Sequence, residues 1–178
     1  MSFDPKNMPL IELNNGQRIP QLGLGVYKLA AASAADLVSA AIETGYRRID
    51  TAALYANEAE VGEGIRQSSI PREDIYVTTK IWHDDHGYDN ALKAIDESLD
   101  RLNIDYVDMV LIHWPAPAQD KFVETWAAFQ HAVTTGKVRG KKFTVAHDCG
   151  IVINPQLLTQ TIEGNVSQAL SRAIHEEV

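Results

Sequence analysis

The sequence lacks the features that disulfide-bonded, membrane-spanning and nucleic-acid-binding proteins need. Its 178 residues include one cysteine, Cys149, which excludes an internal disulfide and favours a reducing compartment, so we expect a cytoplasmic protein. Apolar runs such as residues 109–112 are far too short to cross a bilayer, and the first residues lack the apolar core of a signal peptide. A net charge of −8 leaves no excess of cations for a phosphate backbone. We therefore expect neither a membrane nor a nucleic acid as partner.

The chain does have an ordinary globular composition, 45% hydrophobic and 22% charged, and enough residues to bury one core. Near its start, two short segments at residues 10–13 and 18–19 flank Asn14-Asn15-Gly16. Because Asn-Gly favours the positive φ angles of a tight turn, these segments predict a β-hairpin.

From residue 22 to residue 136 the pattern alternates between strand and helix four times. Strands are predicted at 22–26, 46–51, 75–81 and 107–112, and the last is apolar enough to be buried on both faces. A helical spacing of apolar residues follows each strand, marked by Leu37, Val38, Ala41 and Ile42, by Val61 and Ile65, by Leu92, Ile95, Leu99 and Leu102, and by Phe122, Trp126, Phe129 and Val133. This alternation predicts right-handed βαβ units and a parallel sheet.

Capping residues mark the ends of these predicted helices. Ser33, Asn57 and Asp89 stand where helices are expected to begin, because their side chains can accept hydrogen bonds from free backbone N–H groups. Gly45 and Gly136 stand where helices are expected to end.

Two folds share this alternation, a (β/α)8 barrel and an open doubly wound sheet. Gly23-Leu-Gly25 is not followed by the remaining glycine of a dinucleotide fingerprint, and no acidic residue is suitably placed after it. Polar residues at three strand ends favour the barrel, whose catalytic groups cluster at that face. We predict an α/β protein, an incomplete (β/α)8 TIM barrel made of the hairpin, about four βα units and a short C-terminal β/α tail.

Four residues of different chemistry come at or just after the carboxyl ends of predicted strands: Asp50, Tyr55, Lys80 and His113. Each alone has a structural interpretation, as a strand-end cap, a packed aromatic, a solvated lysine and a core histidine. Because the carboxyl ends of parallel strands meet at one edge of a sheet, the four together indicate one active site.

Several motifs of this segment resemble those of one enzyme family. They are Gly23-Leu-Gly-Val-Tyr27, Gly45-Tyr-Arg-Arg-Ile-Asp-Thr-Ala52, Tyr55 with Asn57-Glu58 and Val61-Gly62, Thr79-Lys-Ile-Trp82, and Leu111-Ile-His-Trp-Pro115. On these motifs, residues 9 to about 139 resemble the aldo-keto reductase family, near its bacterial diketogluconate reductase type.

The resemblance implies that an aldehyde or ketone is reduced with NADPH. Tyr55 would be the general acid, Lys80 would ease proton transfer through its positive charge, and Asp50 would hold Lys80 in place. His113 would orient the carbonyl group of the substrate.

The resemblance also implies which residues surround the reactants. Tyr27, Trp82 and Trp114 would line the substrate pocket, and Val26, Asp50 and His113 would lie near the NADPH.

Other polar clusters are predicted to be structural. His83-Asp-Asp-His86 has no further spaced ligands, which favours a polar loop over a metal site. The cations Lys137, Arg139, Lys141 and Lys142 favour a solvated loop over a phosphate site.

The family pattern changes after Gly140. Three stretches, Val145-Ala-His-Asp-Cys-Gly-Ile-Val-Ile-Asn-Pro155, Gln160-Thr-Ile-Glu-Gly164 and Gln168-Ala-Leu-Ser171, resemble the molybdenum-cofactor-binding subunit of the xanthine dehydrogenase and isoquinoline oxidoreductase family. The stretches that carry the catalytic glutamate and most pterin contacts of that family have no counterpart. We therefore predict two domains, 1–140 and 141–178, and do not expect molybdenum binding.

In aldo-keto reductases most NADPH contacts come from the second half of the barrel, to which no segment of this chain corresponds. Two hypotheses follow: an NADPH-dependent carbonyl reductase, or a catalytically inactive hybrid without affinity for the cofactor. The open edges of a half barrel also predict a homodimer.

Overall fold

Strands and helices alternate along the chain as the apolar pattern predicts. A computed structural model describes residues 8–13 and 16–138, which belong to one compact unit. Its strands are β1 (Leu10–Glu12), β2 (Arg18–Pro20), β3 (Leu24–Gly25), β4 (Arg48–Asp50), β5 (Tyr76–Ile81) and β6 (Met109–Ile112). Its α-helices are α1 (Ala31–Glu43), α2 (Glu58–Gln67), α3 (Tyr88–Leu102) and α4 (Phe122–Thr134). The predicted tail elements lie outside the described residues.

The predicted hairpin and parallel sheet are both confirmed. β1 pairs antiparallel with β2, so that Ile11 lies opposite Ile19. The other strands form one parallel sheet in the order β3-β4-β5-β6, and α1 to α4 each follow one of its strands. Consecutive parallel strands that are neighbours in the sheet, each followed by a helix, fit the first part of a (β/α)8 barrel.

The core lies between the sheet and the helices that follow its strands. Val38 and Ile42 of α1, and Ile95 and Leu102 of α3, are almost fully buried, as their spacing predicts. Leu37 is 40% exposed instead. In α4 the buried face consists of one large side chain, Phe129, and three small ones, Thr125, Ala128 and Ala132.

Two of the three predicted helix N-cap positions are wrong, and the third, Asn57, is confirmed in position only. Helix α1 begins two residues before Ser33, whose hydroxyl donates a hydrogen bond to the Ala30 carbonyl from within the first turn. Helix α3 follows Gly87, so that Asp89 lies in its first turn. Asn57 does precede α2, but its side chain makes no capping hydrogen bond. The prediction of helix ends is better, since Gly45 and Gly136 both follow helices with positive φ angles of 114° and 80°.

Strand β6 is less buried than its apolar sequence predicts. All four of its residues are half-buried, so the prediction that both faces are covered is wrong. The reason is its position, because within the described part of the chain β5 has a neighbour on each side and β6 has only β5. Beyond it, Val107 makes a single parallel bridge to Val138, the last described residue.

Two glycines let α2 approach its neighbours closely. A Cβ atom on Gly62 would lie 1.8 Å from the carbonyl oxygen of Leu102, at the end of α3. A Cβ atom on Gly64 would lie 2.5 Å from the carbonyl oxygen of Ala35 in α1. Because both contacts are with backbone atoms, which cannot rotate away, this helix packing requires glycine at both positions.

Within the described residues, no helix has the length and apolar character that a membrane crossing requires.

Replacing Gly62 by alanine should lower the free energy of unfolding by about 3 kcal/mol, because the new methyl group forces α2 and α3 apart. Urea unfolding followed by circular dichroism measures this change. Gly25→Ala is the matched control, since a Cβ atom there meets nothing within 4 Å. Equal stability of the two variants would contradict the packing described here.

Candidate active site

The register of the parallel sheet brings three of the four predicted residues to one edge. Asp50 ends β4, opposite Gly25 of β3, and Lys80 lies one residue before the end of β5, opposite Leu111 of β6. His113 directly follows β6 and its N–H donates to the Ile81 carbonyl over 3.0 Å. These side chains therefore start from the carboxyl ends of three adjacent strands.

The Lys80 ammonium group is the centre of the cluster. It donates hydrogen bonds to the Asp50 carboxylate, to the Thr51 carbonyl oxygen over 2.9 Å and to the Tyr55 hydroxyl over 3.2 Å. An ammonium group has three N–H donors, so these contacts use all of them. Asp50 lies 3.9 Å from the Arg48 guanidinium as well. Only 11% of the Lys80 side chain is exposed, and this burial makes its pairing with Asp50 necessary.

Tyr55 reaches the ammonium group from a short turn rather than from a strand. It ends the 3₁₀ turn Ala53–Tyr55, and Ala56 after it takes a left-handed conformation with φ of 54°. The ammonium nitrogen of Lys80 also lies 4.8 Å from the centre of the Tyr55 ring. The hydroxyl therefore has a cation on one side, while the half-buried side chain remains open to solvent on another.

His113 lies beside the phenol with its ring held by two aromatic contacts. Its ring meets that of Tyr55 edge to face at 5.6 Å and that of Trp82 edge to face at 5.1 Å. Burial lowers the pKa of His113, and the nearby Lys80 charge lowers it further, against the opposing effect of Asp50. The imidazole is therefore neutral at pH 7.

The predicted pocket residues fall into two groups. Trp82 contacts His113, Tyr27 lies 5.0 Å from Tyr55 between ring centres, and Trp114 is 62% exposed beside the site. Val26, in contrast, is fully buried, its N–H donates to the Asp50 carbonyl and its own carbonyl accepts from Asn57. In this structure Val26 packs in the core and takes part in backbone hydrogen bonds. Its contact with NADPH stays a prediction.

A buried polar layer behind the site was not identified from the sequence. Asn57 is 1% exposed and its amide joins Thr51 to the carbonyl groups of Val26 and Leu29. An asparagine before an amphipathic helix predicts a cap, and Asn57 does stand at that position, but its side chain binds these other groups instead.

Glu58 belongs to the same layer. Its carboxylate, 2% exposed as a residue, accepts from the Thr79 hydroxyl over 2.6 Å and from Arg101 over 2.8 Å. The motif that contains Asn57-Glu58 marks Glu58 as a residue of interest. The spacing of residues in that motif gives no information about which distant side chains Glu58 contacts.

The His83–His86 segment is a loop, as predicted, but it is not exposed throughout. His83–Asp85 forms a 3₁₀ turn and His86 is 1% exposed. Burial lowers the pKa of His86, and the charge of His83 adds to this effect. Within the described part of the chain, no group of three or more His, Cys, Asp or Glu side chains is arranged to hold a metal ion.

Comparison with protein families shows to which family this sequence belongs. The model described as "Aldo/keto reductase family" matches residues 21–144, which is more than half of the chain. The chain belongs to the aldo-keto reductase family. It is 51% identical over 131 residues to an aldo-keto reductase of Mycolicibacterium smegmatis, covering 74% of this chain and 48% of that one. The chain thus spans about half the length of the curated relatives it matches.

Solved structures of family members are similar to the described fold. A structure of an aldo/keto reductase from Brucella melitensis has a TM-score of 0.72 and 50% identity, over 75% of this chain and 51% of that one. An aldo-keto reductase of Bombyx mori, solved in complex with NADP, has a TM-score of 0.67 and 39% identity, over 74% of this chain and 48% of that one. At these identities the likeness extends beyond the fold to the sequence of the shared half.

Acid should destabilise the protein through His86 and His113. Both have a lowered pKa when folded, so the unfolded chain takes up protons first as the pH falls below about 6.5. The contribution of the two histidines to the free energy of unfolding is therefore complete above this pH, and it is lost as the pH falls further. Urea unfolding at several pH values measures this dependence.

His113→Gln should weaken that dependence, because one of the two titrating groups is removed. His131→Gln, which replaces an exposed histidine, is the matched control. An unchanged dependence in His113→Gln would assign the effect to other groups.

Proposed function

We propose that this chain reduces an aldehyde or ketone to the corresponding alcohol, with NADPH as the hydride donor. The observation that carries the proposal is the Lys80 ammonium group, which contacts both the Asp50 carboxylate and the Tyr55 hydroxyl at the carboxyl edge of the sheet. A phenol beside a buried cation is an arrangement suited to donating a proton.

Tyr55 acts as the general acid in this proposal. The reduction adds a hydride to the carbonyl carbon and a proton to the carbonyl oxygen, so that the C=O double bond becomes a C–O–H group. The Tyr55 O–H bond breaks as the proton moves to the substrate, and the Lys80 charge at 3.2 Å stabilises the phenolate that remains. A proton from solvent then restores the phenol.

Asp50 and His113 support this transfer in different ways. Asp50 neutralises the mostly buried Lys80 charge and fixes the ammonium position through their ion pair. His113, kept neutral by burial and by Lys80, donates a hydrogen bond to the carbonyl oxygen. Its two edge contacts hold the ring in place for that role.

Large aromatic side chains beside the cluster form the proposed substrate pocket. Tyr27 and Trp114 are 61% and 62% exposed, and Trp82 packs against His113. Exposed aromatic faces next to polar groups are suited to a ligand with an apolar body and one carbonyl group. The proposed substrates are aldehydes and ketones as a class. The proposal includes the resemblance to the diketogluconate reductase type.

NADPH fits the reacting end of this site. When bound, it supplies the hydride, which no side chain can donate. Asp50, Tyr55 and His113 are each partly exposed at this edge, so a bound cofactor can reach them from solvent. The Bombyx mori relative, with the same family fold, was solved in complex with NADP.

A second hypothesis is a chain without affinity for NADPH. The match covers 48% of the Mycolicibacterium smegmatis relative. By resemblance, most NADPH contacts belong to the other half of the barrel. The same hypothesis includes a domain boundary between residues 1–140 and 141–178. It also includes the resemblance of the second segment to a molybdenum hydroxylase. Residues 139–178 lie outside the described part of the chain.

The first hypothesis predicts that NADPH quenches the tryptophan fluorescence of the protein in a saturable manner. Trp82 contacts His113 and Trp114 is exposed beside it, so both report on a ligand at the cluster. A fluorescence titration up to hundreds of micromolar NADPH is the measurement. Linear, unsaturable quenching would remove the reductase hypothesis for this chain and leave the second one.

Turnover then separates binding from catalysis. Tyr55→Phe should retain NADPH binding and lose at least about 100-fold in kcat, because only the proton donor is removed. Tyr88→Phe is the matched control, since the Tyr88 ring contacts His131 rather than the cluster. Equal turnover of Tyr55→Phe and the unmodified chain would exclude Tyr55 as the general acid.

We also propose that two copies associate through open sheet edges. Within the described residues β6 has one sheet neighbour and its apolar residues are only half-buried. Burial of this edge by a second copy would remove apolar surface from water. Light scattering at micromolar concentration should give the mass of a dimer, and a monomer mass would contradict the proposal.

A further inference from the structure

One of the three acceptors around the Lys80 ammonium group is a backbone atom. The Thr51 carbonyl oxygen lies 2.9 Å from the Lys80 nitrogen, closer than the Tyr55 hydroxyl at 3.2 Å. A backbone carbonyl has no rotamers, so its direction depends on what fixes the main chain around it. The position of Thr51 therefore influences where the ammonium group lies relative to the phenol.

Thr51 is fixed from two sides. Its N–H donates to the Thr78 carbonyl of β5 over 2.8 Å, which extends the parallel pairing one residue past β4. Its hydroxyl donates to the side-chain carbonyl oxygen of Asn57 over 3.2 Å. Both Thr51 and Asn57 are almost completely buried, so water cannot readily replace that second bond.

Asn57 connects this point to a second strand. Its amide nitrogen donates to the Val26 carbonyl over 3.0 Å and approaches the Leu29 carbonyl at 3.4 Å. The side chain thus accepts on one side and donates on the other, as a neutral carboxamide can. It ties the end of β3 to the segment after β4.

Asn57 is also two residues from Tyr55. The left-handed Ala56 between them turns the chain from the 3₁₀ turn into α2. The same side chain is therefore placed to fix both partners of the proton transfer. It holds the phenol through the short peptide that joins Tyr55 to Asn57, and the ammonium group through the Thr51 carbonyl.

We infer that Asn57 is a positioning residue for the Lys80–Tyr55 pair, acting through Thr51. The inference rests on the proposed reductase function for its consequence in catalysis, while the geometry it concerns does not require turnover. The Lys80–Tyr55 contact is the longest of the three ammonium contacts. It is accordingly the one that a small displacement of the Thr51 carbonyl weakens first.

Thr51→Val tests the inference with the least change of shape. Valine keeps the branched side chain and removes the hydroxyl that binds Asn57. Thr51→Ser restores that hydroxyl and is the rescue variant. Thr125→Val is the matched control, because Thr125 is equally buried and its hydroxyl also makes hydrogen bonds, but to Gly87 and Lys121.

The first readout is the exchange of the Lys80 ammonium protons with water, followed by NMR of protein with ¹⁵N-labelled lysine. The Lys80 signal is identified by its loss in Lys80→Met. We expect exchange to accelerate about tenfold in Thr51→Val, because a less constrained ammonium group opens to water more often. Thr51→Ser and Thr125→Val should keep the original rate.

The second readout is steady-state turnover of a carbonyl substrate with NADPH. Thr51→Val should lower kcat about tenfold with little change in KM, since an interaction with the reacting groups is disturbed rather than ligand binding. Thr51→Ser should recover most of that loss. A Thr51→Val protein with normal kcat and normal ammonium exchange but a reduced Tm would overturn the inference and make Asn57 only structural.

The two measurements test the proposed function and the role of Asn57 independently. If the unmodified chain neither binds NADPH nor turns over a carbonyl, the proposed function fails, while ammonium exchange still decides the inference. If the unmodified chain has no protected Lys80 ammonium signal, the inference fails whatever the turnover, because the ammonium group is then not held by its three acceptors. Asn57→Leu, which removes both halves of the amide, should reproduce Thr51→Val if it folds.

Discussion

The mostly buried ammonium group of Lys80 is the interaction on which the candidate site depends. A charge that is removed from water needs a partner of opposite sign and acceptors for all its protons, and Lys80 finds these in Asp50, the Thr51 carbonyl and Tyr55. Those partners come from β4, from the residue after it and from the following turn. The same contacts that make burial of the lysine possible also bring a cation to the phenol, so the structural requirement and the proposed chemistry share one geometry.

The sheet supplies the distances within this cluster. Parallel pairing in the order β3-β4-β5-β6 fixes which residues are neighbours at the carboxyl edge, and the close approach of α2 at Gly62 and Gly64 sets the packing behind it. Asn57 and Glu58, at the start of α2, then connect the helix to the strand ends through buried hydrogen bonds. The candidate site is therefore supported from behind by buried charged and polar groups, which hydrogen-bond to one another and to the strand ends.

Sequence patterns predicted the elements far better than their exact ends. Apolar spacing located α1 to α4, because a buried face has to repeat every three or four residues, and residue type located the polar strand ends. The predicted caps at Ser33 and Asp89 were wrong, since a capping signal is local and several nearby positions satisfy it equally well. The burial of β6 was overestimated, because an apolar run does not state how many neighbours a strand has.

The sequence by itself therefore determined the alternation of strands and helices, the family, and the choice of four candidate catalytic residues, all of which are properties of spacing and motif. Only the tertiary structure decided that Lys80 contacts the Thr51 backbone, that the Asn57 side chain binds other segments instead of capping its helix, and that Val26 is enclosed. The physical reason is that these contacts join residues from different strands. Their geometry depends on register and on helix packing, which are set by the folded sheet as a whole and not by any local stretch of the chain.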